Sequence, residues 1–321
     1  MRLEAHRRKR NFAKVSRPPI PASKVSSNLK IAGIKLTHPD RVLYPDQGIT
    51  KLDLAHYYEQ VGDWMIPHVK KRPLTLVRCP EGHKKPCFYQ RHITKSIRGP
   101  IGNIRVREGR STVSYVSVDS TPGLIALAQM GVLEIHTWGS RQDRLDQPDR
   151  LTFDLDPDPA LPWRDVREAA LVLRRRTADL GLSAFVKTTG GKGLHVVVPI
   201  IPKQNWDEIK TFTRKMAESL AFEAPKLYTT TMSKAKRKGK IFIDYLRNAR
   251  TATAVCAYST RAYAGAPVSV PVSWQELATD VRGAHFTIGN VPQRLARLRN
   301  DPWDGYEAAR VNITDAILGK L

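Results

Sequence analysis

The chain has 321 residues, 41% of them apolar, so it is long enough for one large domain or two small ones and rich enough in hydrophobic side chains to fill a core. Its 53 Lys and Arg exceed 30 Asp and Glu for a formal charge of +23, which makes a polyanion the expected partner, nucleic acid first. A membrane is excluded as the alternative: no apolar run approaches the roughly 20 residues that span a bilayer, and the basic start MRLEAHRRKR lacks the apolar segment of a signal peptide.

Residues 1–28 mix basic residues with Pro and Ser and show neither helical nor strand period, so they read as a flexible tail or linker. Order begins near Leu29. The segment TKLDLAHYYEQVGDWMIPHV predicts a helix, with Thr50 as N-cap and apolar residues at Leu54, Tyr57, Tyr58, Val61 and Met65. A second helix is expected after Thr121-Pro122, through GLIALAQMG. Cys79, His83, Cys87 and His92 fall within fourteen residues and raise a zinc site, but C-x3-H-x3-C-x4-H matches no common finger or knuckle. Three cysteines, with Cys256 the third, cannot all pair with one another, which fits a reducing, intracellular setting.

From residue 150 the pattern sharpens. RLTFDLD reads as a strand, WRDVREAALVLRRRTADLG as a helix, SAFVKT and GLHVVVPI as strands, NWDEIKTFTRKMAESL as a helix and KIFIDYL as a strand. The order βαββαβ is the ferredoxin-like or RNA-recognition topology, whose spatial strand order is expected to be 4-1-3-2. Asp154 and Asp156 then lie on the first strand, His195 on the third and Asp244 on the fourth, where they can meet on one sheet face.

Side chains alternate along a strand, so Asp154 and Asp156 share a face. Carboxylates gathered without a cation repel, and one is forced to hold a proton. A hard divalent ion, Mg²⁺ or Mn²⁺, removes that repulsion, and a pair of such ions suits in-line displacement at phosphorus. Asp-x-Asp before Pro is also common at solvated strand ends; a third Asp on a neighbouring strand favours the site.

KTTGGKGLH joins two expected strands, and its Gly-Gly-Lys-Gly turn brings backbone N–H groups and an ammonium together as an anion cradle. Thr189, the Gly190 and Gly191 N–H groups, Lys192 and His195 are its candidate contacts. The blander reading is a glycine-rich hairpin, and the loop is no Walker A motif. His136, in LEIHTWGSR, is the other candidate histidine; such a residue beside Trp138 is more often packing, but its segment leads into the Asp154 strand. The basic run SKAKRKGK (233–240) reads as a solvated loop or, beside such a site, a phosphate contact.

LTHPDRVLYP, GITKLDLAHYY, RPLTLVRCPEG, CFYQRH, LEIHTWGSR, PDRLTFDLDP, KTTGGKGLHVVVP, IFIDYLRN and AYSTRA occur in that order from residue 36 to about 275. Together they resemble the polymerase module of bacterial DNA ligase D, within the archaeo-eukaryotic primase superfamily. The resemblance implies an α/β (α+β) primase-polymerase fold: a βαββαβ core, about 130–275, with an N-terminal α/β subdomain packed on it, inside a domain of 29–300 followed by a helical extension, 301–321. It implies that Asp154, Asp156 and Asp244 bind two ions, Mn²⁺ or Mg²⁺, with His136, Thr189, Lys192, His195, Arg247 and Arg261 around the nucleotide. It also implies that Arg41 and Lys51 take a 5′-phosphate, with Phe88 or Tyr89 stacking on the template. The implied activity is gap filling and end extension with NTP or dNTP during non-homologous end joining in the bacterial cytoplasm, at the nucleoid, beside Ku and an ATP-dependent DNA ligase. Thr189 replaces the family's usual Ser, and Tyr263 stands where a second arginine is often found. The rival reading is a non-catalytic RNA-recognition-like module, but such modules present aromatics on the sheet face where this chain presents carboxylates.

Overall fold

The computed structural model describes residues 29–94, 97 and 99–320, so the expected basic tail lies outside the described residues. Two ribbons, Lys30–Ile31 with Ile34–Lys35 (β1, β2) and Val42–Tyr44 with Ile49–Thr50 (β3, β4), lead into helix α1, Lys51–Val69. Thr50 caps that helix: its hydroxyl accepts the Asp53 N–H at 3.2 Å, and the Asp53 carboxylate accepts the Thr50 N–H at 2.8 Å. This reciprocal box satisfies donors that the first turn leaves free. The apolar face of α1 buries Leu54, Tyr57, Tyr58, Val61 and Met65, each worth about 1.5–3 kcal/mol if fully removed from water. The tyrosine tips stay satisfied: Tyr57 donates to Tyr258 O at 2.8 Å, and Tyr58 Oη lies 3.2 Å from Thr260 Oγ1. The helix is thereby pegged to the segment that carries Arg261.

The chain continues through β5 (Leu74–Arg78), β6 (Phe88–Gln90), the hairpin β7 (Gly102–Glu108) and β8 (Ser111–Ser117), α2 (Thr121–Gln129) and β9 (Val132–Trp138). The second half follows as β10 (Arg150–Pro157), α3 (Trp163–Asp179), β11 (Phe185–Thr188), β12 (Leu194–Pro199), α4 (Trp206–Glu223), β13 (Tyr228–Thr229) and β14 (Ile241–Asp244). Then come β15 (Thr253–Val255), β16 (Pro271–Val272) and the short helices α5 (Trp274–Leu277), α6 (Val291–Arg297) and α7 (Asp315–Leu318). Two main sheets result, one ordered β13-β14-β10-β12-β11-β16 and the other β15-β9-β5-β6.

The four inner strands of the larger sheet, β14-β10-β12-β11, are the 4-1-3-2 order that the βαββαβ pattern predicts, extended by β13 and β16 at its edges. Leu151, Phe153 and Leu155, on one face of β10, join the core with Val166, Leu173, Ile209, Phe212 and Met216 of α3 and α4. The opposite face turns toward the smaller sheet, as the Lys187 ammonium shows by donating to Val255 O of β15 at 2.9 Å. One hydrophobic cluster runs through both halves.

Two expectations meet a different outcome, and the zinc reading that the spacing already disfavoured falls with the second. Residues 301–321 were expected to be helical, yet helix is confined to Asp315–Leu318. Pro302 and Gly305 interrupt the run, and Trp303 is held in place by donating to Val186 O at 2.8 Å while stacking on Tyr306. The zinc set also disperses. Cys79 and Cys87 form a disulfide across the β5–β6 connection, against the reducing setting expected from the cysteine count, while His83 stacks on Tyr44 and His92 lies edge-on to Tyr115. Among the described residues, no helix is long and apolar enough to cross a membrane.

Candidate active site

Strand register assembles the centre. On β10, Asp154 faces His195 of β12 on one side and Asp244 of β14 on the other, and His195 in turn faces Lys187 of β11. Directly paired residues share a face, so Lys187, His195, Asp154 and Asp244 form one row across four strands. Asp156, two residues on, lies on the same face opposite Phe242. All nine expected catalytic and nucleotide-contacting residues, from His136 to Arg261, line a single cleft of about 380 Å³, within the size range of small-molecule sites.

Each carboxylate is met by an organic cation. Arg247 Nε lies 3.2 Å from Asp154 Oδ2 and 3.2 Å from Asp244 Oδ2, bridging the two acids. Lys192 Nζ is 3.1 Å from Asp156 Oδ1, and Arg237 Nη1 is 3.4 Å from Asp156 Oδ2. Burial would raise the Asp154 carboxyl, but the neighbouring His195 and Arg247 hold it well below the usual range. Asp244 moves the other way: burial lifts it, Arg247 opposes, and the charge on Asp154 adds to the rise. Burial, with Lys187 beside it, lowers His195 to about 4, so its imidazole is neutral at physiological pH. Lys187 is itself lowered to about 7 by burial.

This arrangement fits divalent ions. Among the described residues no three His, Cys, Asp or Glu side chains are closed into a ready metal cluster; guanidinium and ammonium groups neutralise the carboxylates instead. The donors are hard oxygens, as Mg²⁺ and Mn²⁺ prefer. The side chains of Arg247 and Lys192 are 40% and 51% exposed, so both can leave the carboxylates if a stronger cation takes their place.

The glycine loop departs from the expected anion cradle. Thr189 Oγ1 donates to Gly193 O at 3.0 Å and accepts the N–H groups of Gly191 and Gly193, while Gly190 N–H donates to Gly283 O. The hydroxyl and three backbone donors therefore brace the turn, and the Lys192 ammonium is the loop's donor that reaches across the cleft, to Asp156. Glycine is required twice. Gly190 has φ +69°, in the left-handed region, and a Cβ on Gly193 would stand 2.1 Å from Leu155 O. Gly193→Ala is expected to push the loop away from β10, lowering stability by about 1–3 kcal/mol and weakening nucleotide binding together; thermal unfolding and a nucleotide titration of the same sample would check both.

The end-binding candidates form a second locus. The Lys51 N–H donates to Arg41 O at 2.8 Å, so the two residues adjoin. The Lys51 ammonium is buried, donates to Thr37 O at 2.7 Å, and is lowered to about 8 by burial and then by Arg41. These two cations sit close together, with Asp40 as the opposing charge beside Lys51. Phe88, 48% exposed, takes Arg78 over its ring at 5.2 Å, and Tyr89 is 75% exposed. As neighbours on β6 they point to opposite faces, so one of them at most can serve a given strand. Tyr44 donates to Arg261 O at 2.9 Å, connecting this locus to the cleft.

Three residues of the site lie outside the sequence-based expectation. Arg237, from the basic run, packs 3.7 Å over Phe242 while reaching Asp156. Lys187 is the buried end of the charged row. Glu134 contacts His136 at 2.7 Å; its position two residues before His136 on a strand is the signal that could have found it.

A family model described as LigD, primase-polymerase domain, matches residues 50–303. Over 301 residues the chain is 37% identical to the multifunctional non-homologous end joining protein LigD of Pseudomonas aeruginosa, covering 94% of this chain and 36% of that protein. The multifunctional non-homologous end joining DNA repair protein LigD of Mycobacterium tuberculosis is 34% identical over 272 residues, 82% of this chain and 36% of that protein. The chain therefore spans little more than a third of the length of these curated relatives. The solved polymerase domain of Mycobacterium tuberculosis ligase D in complex with DNA is similar with a TM-score of 0.79 at 31% identity, covering 86% of this chain and 98% of that one.

Proposed function

The chain belongs to the LigD primase-polymerase domain family, and from that premise we propose that it is a metal-dependent nucleotidyltransferase that fills gaps and extends DNA ends with ribo- or deoxynucleotides in bacterial non-homologous end joining. The observation that carries this reading is the register-paired Asp154 and Asp244, with Asp156 on the same face, in a cleft walled by cationic and imidazole side chains. Two Mn²⁺ or Mg²⁺ ions held by these three carboxylates would supply the Lewis-acid charge that in-line displacement at phosphorus requires.

The protein's own share is placement and charge. Lys192 and Arg247, released from the carboxylates, turn to the phosphate oxygens where negative charge accumulates, and Arg261 contributes a further guanidinium from beside the glycine loop. His195, neutral and buried, steadies Asp154 from the strand next to it. Arg41 and Lys51 hold the 5′-phosphate of the downstream strand, and Phe88 or Tyr89 offers a stacking face to an unpaired template base. Ku and an ATP-dependent DNA ligase complete the joining reaction, at the nucleoid. The similarity to a ligase D polymerase domain solved with DNA supports the choice of polynucleotide.

The test is gap filling on a 5′-phosphorylated, gapped duplex with each NTP and dNTP, in Mn²⁺ or Mg²⁺. Addition that needs a divalent ion and is favoured by the 5′-phosphate is expected. Absence of addition with either ion and every nucleotide would overturn the proposal.

A further inference from the structure

Glu134 stands two residues before His136 on β9, so their side chains leave the same face of the strand. The carboxylate is buried, with the residue only 6% exposed, and both oxygens are occupied. Oε2 lies 2.7 Å from His136 Nε2 and 3.0 Å from Arg261 Nε, and Oε1 accepts the Ala262 N–H at 2.9 Å. Arg261 reaches onward from that anchor, its Nη1 donating to Thr189 O at 2.6 Å at the start of the glycine loop. One acid thus secures two arms of the cleft, one from β9 and one from the segment pegged by α1, while lying behind the lining itself.

Burying a charge is costly unless partners compensate. Burial would raise the Glu134 carboxyl, but the hydrogen bond from His136 and the charge of Arg261 bring it down to about 2. Burial also lowers His136. At neutral pH the pair is therefore a carboxylate beside a neutral imidazole. An ionised carboxylate only accepts hydrogen bonds, so it fixes the imidazole proton on Nε2 and leaves Nδ1 as an acceptor.

We propose that Glu134 is a positioning residue for nucleotide binding, setting the tautomer of His136 and aiming the Arg261 guanidinium at the glycine loop. The inference rests on reading the cleft as a nucleotide site, and wild-type gap filling, run alongside, tests that reading separately. Glu134→Gln keeps the volume and removes the charge. For this variant KM for the incoming nucleotide is expected to rise on the order of 10- to 100-fold, the usual scale for losing the partner that orients a ligand-binding side chain, with a smaller change in kcat. Arg261→Ala is expected to raise KM when made alone but to add little further in the Glu134→Gln background, because anchor and arm act as one unit. Ring-nitrogen NMR of labelled wild-type protein is expected to place the His136 proton on Nε2. An unchanged KM in folded Glu134→Gln, or fully additive effects with Arg261→Ala, would overturn the assignment. If Glu134→Gln fails to fold, the wild-type spectrum still decides: a His136 proton on Nδ1 sinks the proposal.

Discussion

Asp154→Asn is expected to abolish nucleotide addition while leaving the protein folded. The carboxylate lies between His195 and Arg247 and pairs in register with Asp244, so it is central to any cation held here. Losing several kcal/mol of charge stabilisation at the reacting phosphate corresponds to on the order of a thousandfold in rate. Stability changes little by comparison. Asn has nearly the same shape as Asp, and Arg247 retains Asp244 as a partner at 3.2 Å. Gap filling by the purified variant measures the first effect and a thermal melt the second. Extension at the wild-type rate would remove Asp154 from the chemistry; a collapsed melt would make its role structural.

Asp149→Asn should have the opposite profile, with its main effect on folding. Asp149 is 3% exposed and receives Arg72 through two bonds, at 2.8 and 2.6 Å, with Arg141 at 3.1 Å and Arg310 at 3.4 Å. Its backbone also bonds Gly139 O and the Ile200 N–H, tying together β9, β10 and β12. Neutralising it leaves the Arg72 guanidinium, 1% exposed, buried without a full counter-charge. Breaking one side of such a pair costs about 3–5 kcal/mol, on the order of 10 °C in melting temperature. Burial would raise the Asp149 carboxyl, but the surrounding arginines depress it strongly. Its stabilisation is therefore complete above the unfolded-chain value, about 3.9, and is lost as pH falls toward the folded value. The gap between wild type and variant should hold at neutral pH and begin to narrow below about pH 4, closing as the pH approaches the folded value. Melts across that range check it, and a neutral-pH difference of a degree or less would refute the hub.

How much was legible follows from what each signal depends on. Period-two alternation depends on neighbours in the chain, so the shared face of Asp154 and Asp156 and the strand carrying His195 could be read directly, while the 4-1-3-2 order came from the topology that the βαββαβ succession matches. Thr50 announced its helix because capping is local. Asp149 acts through Arg72, far away in sequence, so no local pattern marks it; Glu134 is equally far from Arg261, and only its two-residue spacing from His136 is local. Arg237 is one cation in a basic run until Phe242 fixes it against Asp156. Thr189 and the glycines looked like free donors, but a tight turn consumes its own donors first. The Cys79–Cys87 pairing likewise depends on how β5 meets β6.

The tyrosine pegs of α1 limit how the walls of the cleft can move. Tyr57 and Tyr58 bolt one half of the molecule to the 258–260 segment of the other, and a single apolar core passes beneath both. The walls of the cleft therefore cannot hinge apart like a clamshell without rupturing that core. Lys192 and Arg247, with side chains 51% and 40% exposed, can still swing against that rigid frame, a fast and small movement in place of a slow closing of jaws.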